Sequence, residues 1–230
     1  VKQIYKDLGI NSKRFKTRAV KAVISKAKNE MIDYQQYQRQ ADDDFQQAAA
    51  RVYKVYQKRL QEQDAVDFDD LLLKVVQLFK ARPNVLAKYQ QRLQHVLVDE
   101  YQDTNKAQYE MTKLLSQPQN NVYVVGDFAQ SIYAWRGADY RNLFYLQQEF
   151  DKIEEYRLER NYRSTQPILS AATKLIENNT THPVLDLWTK KSSENKITVI
   201  ETKSSDQEAD AVINQIQAQL GEGYKYGDMA

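Results

Sequence analysis

Residues 96–127 read VLVDEYQDTNKAQYEMTKLLSQPQNNVYVVGD, and this stretch decides the fold. Two short apolar runs, 96–98 and 122–125, are typical of buried strands, and each ends in acidic residues. Between them the sequence has helical periodicity over 104–116, with Asp103 or Thr104 as the expected N-cap. A strand, a helix and a strand within about thirty residues predict a βαβ unit. The fold class is therefore α/β with a parallel sheet.

The sequence on the N-terminal side of this unit predicts helices only. Apolar residues at helical spacing over 17–31 and 45–60 indicate that residues 1–64 form an all-helical unit. Asp67 is the expected N-cap of the next helix, because acidic residues occupy the first turn that follows it. The core positions expected on that helix are Phe68, Leu71, Leu72, Val75 and Phe79.

The sequence on the C-terminal side repeats the α/β pattern. A helix is expected from about 139 to 150, and a third strand over 153–158. Thr165, with Pro167 in the first turn, opens another helix. A polar linker then leads to a fourth strand over 197–201 and a final helix.

The composition excludes several kinds of site. The 230 residues include 33 basic and 31 acidic side chains, two histidines and no cysteine. Without cysteine there is no disulfide framework, thiolate zinc site, iron–sulfur cluster or cysteine nucleophile, and two histidines do not make a histidine-rich metal site. No apolar run has the length of a membrane span. We therefore expect a cytoplasmic protein without a membrane partner, and the first residue, Val1, suggests a piece of a longer chain.

The net charge of +2 hides an uneven distribution of charge. Residues 1–30 contain nine Lys or Arg against Asp7 and Glu30, so the rest of the chain is net acidic. A basic N-terminal segment is compatible with a nucleic-acid face, and equally with an ordinary solvated helix surface.

Carboxylates follow both strands of the βαβ unit. Asp99 and Glu100 come directly after the first strand, and Asp127 comes shortly after the second. Ligands of open parallel sheets bind at the carboxyl ends of the strands. An Asp that holds Mg²⁺ through water, next to a Glu that orients or deprotonates the attacking water, is what a nucleotide hydrolase needs. Acidic residues also end many strands because strands end at the surface.

Three blocks of sequence narrow these alternatives. They read DEYQDTN at 99–105, VGDFAQSIYAWRGA at 125–138 and LERNYRST at 158–165. In this order they resemble motifs II, III and IV of the UvrD/PcrA/Rep group of superfamily 1 DNA helicases, most closely those of Gram-positive bacteria. Residues 66–71, VDFDDL, also resemble that group, and the resemblance covers essentially the whole chain.

The resemblance implies incomplete RecA-like parallel-sheet pieces of the P-loop NTPase type, with an all-helical insert subdomain at the N-terminus. It divides the chain into a helical 1B-like subdomain (1–65), a partial RecA-like 1A domain with motifs II and III (66–159) and the start of the RecA-like 2A domain with motif IV (160–230).

The resemblance also implies ATP and Mg²⁺ as cofactors. By this likeness Asp99 coordinates Mg²⁺, Glu100 is the catalytic base and Gln130 senses the γ-phosphate. Tyr162 resembles the residue that stacks on adenine, and Arg163 the one that reaches the γ-phosphate as an arginine finger. On the residues alone, Gln130 could equally be a polar loop residue and Arg163 a surface charge.

DNA contacts are implied for three residues of the second block. Tyr133 and Trp135 would stack on bases of single-stranded DNA, with Arg136 beside them. The alternative is that both aromatic side chains belong to the core, although the lack of helix or strand periodicity favours a loop. The implied activity is 3′→5′ translocation and unwinding of duplex or forked DNA in repair and replication.

One element of the family pattern is missing from these 230 residues. The phosphate-binding loop has the form Gly-x-x-x-x-Gly-Lys-Ser/Thr, and none of the six glycines is followed by Lys. We therefore expect a helicase fragment that is itself inactive as an ATPase, with an incomplete sheet whose exposed edge favours self-association. The alternatives are the helicase part of an AddA-type recombination nuclease and a non-catalytic DNA-binding or interaction module.

Overall fold

The computed structural model describes residues 1–150 and 152–229. The chain divides into two compact units, Val1–Glu155 and Tyr156–Ala230. Among the described residues, none of the helices combines the length and the apolar character that a membrane crossing requires.

Helices make up the N-terminal part of the first unit. They are α1 (Lys2–Asp7), α2 (Thr17–Asn29), α3 (Tyr34–Arg39), α4 (Asp44–Glu62), α5 (Phe68–Ala81) and α6 (Pro83–Arg92). Residues 1–65 are all described and contain no strand, as the sequence predicts. A buried cluster holds α1, α2 and α4 together, and its members are Ile4, Tyr5, Val20, Ile24, Ala27, Ala49, Val52 and Tyr53.

The predicted βαβ unit is present. Strand β1 (Val96–Val98) pairs in parallel with β2 (Val122–Val124), and α7 (Lys106–Ser116) makes the crossover. Val96 lies opposite Val122, and the inner face of the pair packs against a second buried cluster around Tyr101. Helix α8 (Asn142–Glu149) closes this cluster.

The N-cap predicted for α7 is wrong by one or two residues. The cap is Asn105, whose side chain accepts the Gln108 N–H at 2.9 Å while the Gln108 side chain accepts the Asn105 N–H at 2.9 Å. Thr104 is instead buried, and its hydroxyl donates a hydrogen bond to the Tyr101 carbonyl at 2.7 Å. The reciprocal capping box satisfies two backbone donors at once, which a cap at Thr104 cannot do while it makes that bond.

Asp67 caps α5 as predicted, but the buried face of α5 differs from the predicted one. The Asp67 side chain accepts the Asp70 N–H at 2.9 Å. Phe79 is buried as expected, whereas Phe68 is 90% exposed and Leu71 is also exposed. The helix is turned so that Asp70, Leu73, Val76 and Phe79 face inward. This rotation follows from Asp70, which must face its partner Lys28 on α2.

Lys28 is a buried cation that joins three helices. Its side chain is 0% exposed, and Nζ lies 2.7 Å from Asp67 Oδ2 and 3.0 Å from Asp70 Oδ2. From α4, the Tyr56 hydroxyl donates to Asp67 Oδ2 at 3.0 Å, and Gln57 Nε2 donates to Asp70 Oδ2 at 3.1 Å. A buried charge is tolerated only when it is paired and hydrogen-bonded in this way.

The second unit contains α9 (Gln166–Ile176) and α10 (Ser205–Gly221). The strands predicted over 153–158 and 197–201 are wrong, because neither segment forms a ladder with another strand in the described residues. Their apolar side chains are exposed, as at Leu158 and Val199. A strand exists only through pairing, and among the described residues of this unit pairing is limited to one parallel bridge between Arg160 and Trp188.

We predict that Lys28→Met lowers the free energy of unfolding by about 3–5 kcal/mol, because it leaves the buried Asp70 carboxylate and the partly buried Asp67 carboxylate without their cation. The matched control is Lys58→Met. Lys58 is an exposed helix lysine paired with Glu62 at 3.5 Å, and its loss should change stability by less than about 0.5 kcal/mol. Urea unfolding followed by circular dichroism measures both, and equal effects would contradict the prediction.

The stability difference between Lys28→Met and the wild type should depend on pH. Burial raises the pKa of the Asp67 carboxyl, but the hydrogen bonds from Lys28 and from the Asp70 N–H outweigh it and hold that pKa below its ordinary value. The wild type therefore loses this stabilisation as the pH falls through the lowered pKa of Asp67, whereas Lys28→Met has no ion pair to lose. The stability gap between the wild type and the variant should narrow as the pH falls below about 4. A constant gap would argue against the ion pair as its cause.

Candidate functional site

The carboxyl ends of β1 and β2 lie side by side. The Val125 N–H donates to the Val98 carbonyl at 2.9 Å, and the Tyr101 N–H donates to the Val125 carbonyl at 2.9 Å. The parallel register therefore extends past both strands. It places Asp99 and Glu100 next to the turn at 126–127, as expected for strands that end at one edge of a sheet.

Asp99 and Glu100 are both exposed to solvent at this edge. The Asp99 carboxylate accepts the Glu100 N–H at 2.9 Å, which holds it against the backbone. Glu100 has left-handed backbone angles, φ 51° and ψ 44°. Such a conformation is costly for a residue other than Gly, Asn or Asp, and strain of this kind concentrates at functional sites.

Gln102 connects the two strand ends. Its Nε2 donates to Glu100 Oε2 at 2.9 Å, and its Oε1 accepts the Asp127 N–H at 3.0 Å. The backbone at Gly126 comes so close that a Cβ there would lie 2.9 Å from Gln102 Oε1. A side chain at 126 would displace Gln102 Oε1, so the close approach of the two turns favours glycine here.

Asp127 organises the segment that carries Gln130. Its side chain caps a short 3₁₀ helix (Phe128–Gln130) by accepting the Ala129 N–H at 2.9 Å, and it accepts Gln130 Nε2 at 2.8 Å. The structure therefore brings Asp99, Glu100 and Gln130 to the same sheet edge. Asp127, which the sequence analysis noted without a role, supplies the link to Gln130.

The predicted metal ligand fits the needs of Mg²⁺. Among the described residues there is no cluster of three or more His, Asp or Glu side chains able to hold a metal ion. Mg²⁺ bound together with a nucleotide uses one or two carboxylates, several waters and phosphate oxygens rather than an all-protein cage. The exposed carboxylate of Asp99 matches this donor set.

The aromatic segment after Gln130 lies on the surface as a loop. Tyr133 precedes a 3₁₀ helix (Ala134–Arg136), and Trp135 is 79% exposed. The Arg136 guanidinium carbon lies 5.7 Å from the Tyr133 ring centroid and 5.6 Å from that of Trp135. The alternative that Trp135 belongs to the core is therefore wrong, and its exposed ring beside a cation suits contact with a planar, negatively charged ligand.

Gly137 holds the end of this loop against α2. It adopts φ 86°, and a Cβ at this position would lie 3.2 Å from the Asn29 Cβ. Asn29 is buried and hydrogen-bonded to Asp69 at 3.2 Å, and its Oδ1 accepts Asn105 Nδ2 at 2.5 Å. The aromatic loop is thus anchored to a buried polar junction between α2, α5 and the start of α7.

In the second unit, Tyr162 and Arg163 lie in the turn before α9 and are both exposed. Asn161 Oδ1 shapes this turn by accepting the Arg163 N–H at 2.9 Å. The Arg160 guanidinium carbon lies 4.5 Å from the Tyr162 ring centroid and 5.5 Å from that of Trp188.

Sequence reasoning missed four residues that shape these sites. Gln102 and Arg160 stand inside the quoted motifs and were given no role, whereas Asn29 and Trp188 lie in segments read as a plain helix and a polar linker. A polar residue next to a proposed catalytic one was the available signal for Gln102 and Arg160. Nothing in the local sequence marks Asn29 or Trp188.

Comparison with known families decides the relationship of the chain. The family model described as the UvrD/REP helicase N-terminal domain matches residues 1–151, and the model of the UvrD-like helicase C-terminal domain matches residues 156–230. The chain belongs to the UvrD/REP helicase family. This confirms the family resemblance carried by the three sequence blocks.

Relatives with high similarity are the proteins named ATP-dependent DNA helicase PcrA from Staphylococcus epidermidis and Staphylococcus aureus. Each is 42% identical over 230 residues, which is the whole of this chain and 32% of the relative. The chain therefore spans about a third of the length of these helicases.

We predict that Gly137→Ala destabilises the fold by about 1–2 kcal/mol, because alanine is strained at φ 86° and its Cβ presses on Asn29. Gly227→Ala is the matched control, since Gly227 has open space around it and no positive φ. Its effect should stay within about 0.5 kcal/mol. Urea unfolding compares the two, and the anchoring of the loop by Gly137 is refuted if their stabilities agree.

Proposed function

We propose that the chain is part of an ATP-driven motor that moves 3′→5′ on single-stranded DNA and unwinds duplex or forked DNA in repair and replication. The observation that carries this proposal is the sheet edge where Asp99, Glu100 and the Asp127–Gln130 segment meet, with exposed Tyr133 and Trp135 following on the same segment. The helicase names of the relatives support the same activity.

The nucleotide chemistry is assigned residue by residue. Asp99 would hold Mg²⁺, which arrives with ATP and neutralises phosphate charge, and Glu100 would accept the proton of the attacking water. Gln130, tied to Asp127, would sense the γ-phosphate. In the second unit we assign Tyr162 to adenine stacking and Arg163 to the γ-phosphate.

The grip on DNA is assigned to the exposed aromatic loop. Tyr133 and Trp135 would stack on successive bases, and Arg136 would add a cation to the same surface. Stacking suits a motor because every base has a π-face, so binding through stacked aromatic side chains does not depend on the DNA sequence. We further propose the division into a 1B-like subdomain (1–65), a partial 1A domain (66–159) and the start of 2A (160–230).

A motor of this kind works where both DNA and ATP are found, so we expect it in the cytoplasm. Self-association of the 230-residue chain through the open edges of its short sheet remains part of the proposal, because unpaired strand edges attract other strands.

The first test is ATP hydrolysis. The protein from the full open reading frame that encodes these residues should show ATPase activity stimulated by single-stranded DNA, and Glu100→Gln should reduce it by at least about a hundredfold by removing the base. The 230-residue polypeptide, which has no Gly-x-x-x-x-Gly-Lys-Ser/Thr loop, should hydrolyse ATP no faster than buffer. If the protein from the full open reading frame shows no DNA-stimulated ATP hydrolysis, the proposal of a motor is overturned.

The second test is DNA binding. Trp135→Ala in the same protein should weaken the affinity for a labelled single-stranded oligonucleotide by about 5- to 150-fold at constant salt, as expected for one lost base stack. The matched control is Tyr226→Ala, which removes an aromatic side chain that is 74% exposed in the second unit. Fluorescence anisotropy measures both. If Trp135→Ala binds as tightly as Tyr226→Ala, the stacking role is lost.

A further inference from the structure

Gln102 is a buried amide with both ends engaged. Its side chain lies in the turn after Glu100 and the residue is 1% exposed. Nε2 donates to Glu100 Oε2 at 2.9 Å and to Asp103 Oδ2 at 3.3 Å, and Oε1 accepts the Asp127 N–H at 3.0 Å. A buried side chain with its donor and acceptor both satisfied has one orientation, because any other leaves a polar group unpaired.

The segment around the end of β2 contacts both the backbone and the side chain of Gln102. The Ser131 hydroxyl donates to the Gln102 carbonyl at 3.4 Å, from the segment that follows β2. Gly126 brings its backbone against Gln102 Oε1 because it has no Cβ. Gln102 is therefore fixed to the end of β2 although it belongs to the turn after β1.

Glu100 needs such a partner. Its side chain is exposed, and an exposed glutamate samples many rotamers unless a hydrogen bond selects one. A general base must be held near one position, since misplacement by about 1 Å can cost a hundredfold in rate. Gln102 Nε2 supplies that restraint from a rigid, buried position.

We propose that Gln102 is a positioning residue that orients the Glu100 carboxylate and ties it to the Asp127–Gln130 segment. The path runs through named hydrogen bonds, from Glu100 to Gln102, from Gln102 to the Asp127 N–H, and from the Asp127 carboxylate to Gln130. It sets the separation between the group that activates water and the group that senses the γ-phosphate. This inference rests on the proposed function of Glu100 and Gln130.

Two substitutions test the hydrogen bonds at the two ends of the Gln102 amide separately. Gln102→Met keeps the length and volume of the side chain and loses both hydrogen bonds. Gln102→Glu keeps an oxygen for the Asp127 N–H but replaces the donor to Glu100 with a carboxylate. The matched control is Gln108→Met, which removes the capping bond to the Asn105 N–H at 2.9 Å and does not touch Glu100.

Hydrogen exchange of the Asp127 amide in the 230-residue chain tests the link without any enzymatic activity. Gln102→Met should speed this exchange about tenfold, because it removes the partly buried hydrogen bond of the Asp127 N–H. Gln102→Glu and Gln108→Met should leave the exchange unchanged. Circular dichroism shows whether each variant is folded. Unchanged exchange in folded Gln102→Met would overturn the proposed path, as would faster exchange in Gln108→Met at the same site.

Steady-state ATPase kinetics of the full-frame protein test the orientation of Glu100. Gln102→Met and Gln102→Glu should lower kcat by about 10- to 100-fold with the KM for ATP within about twofold, whereas Gln108→Met should keep both constants within about twofold. A purely structural role would lower activity only in proportion to the folded fraction.

The outcomes distinguish this inference from the proposed function. A wild-type protein without DNA-stimulated ATPase activity, or one that Glu100→Gln leaves active, overturns the proposed function. An active wild type that Glu100→Gln inactivates, combined with wild-type kcat in both Gln102 variants, overturns the positioning role of Gln102 and leaves the proposed function standing.

Discussion

The buried contact of Lys28 with Asp67 and Asp70 is the interaction on which the rest of the first unit depends. Asp67 serves two purposes, because it caps the first turn of α5 and neutralises the cation from α2. Asp70 sets the rotation of α5 about its axis. Helix α5 packs on α7, which is the crossover between the two strands, so the position of the sheet follows from this pairing. Burying these three charges costs free energy of desolvation. Removing Lys28 or one of its carboxylate partners costs more, because the remaining charge is left buried without a partner.

The polar core continues from Lys28 to its neighbour Asn29 and from there to the candidate site. Asn29 is hydrogen-bonded to Asp69 on α5 and to Asn105 at the cap of α7, and it lies close against Gly137 at the end of the aromatic loop. The two regions proposed to handle nucleotide and DNA therefore share one buried junction. Packed hydrogen-bonded junctions of this kind are rigid because each group has few alternative partners.

Local signals explain what the sequence could predict. Helix periodicity, the cap at Asp67 and the two valine-rich strands with the helix between them are encoded within a few residues of each position. The motif residues Asp99, Glu100 and Gln130 could be placed at one sheet edge because parallel strands end together. The exposure of Trp135 also agrees with its setting between glycines without periodicity.

Distant pairing explains what the sequence could not predict. In the sequence, Lys28 is one of the nine basic residues of the basic N-terminal segment. Only its contacts with Asp67 and Asp70, 39 and 42 positions further along the chain, put it in the core. Residues 153–158 and 197–201 have strand composition, yet a strand needs a neighbour to pair with, and composition carries no information about one. The role of Gln102 depends on Asp127, which lies on a different strand end.

The left-handed backbone at Glu100 has a consequence for how this position tolerates change. Glycine would relieve about 1 kcal/mol or more of backbone strain there and remove the carboxylate at the same time. Glutamate at position 100 thus carries a backbone strain that glycine would not have, and in return it places a carboxylate at the sheet edge. Position 100 is a point where the fold gives up stability to present a charge.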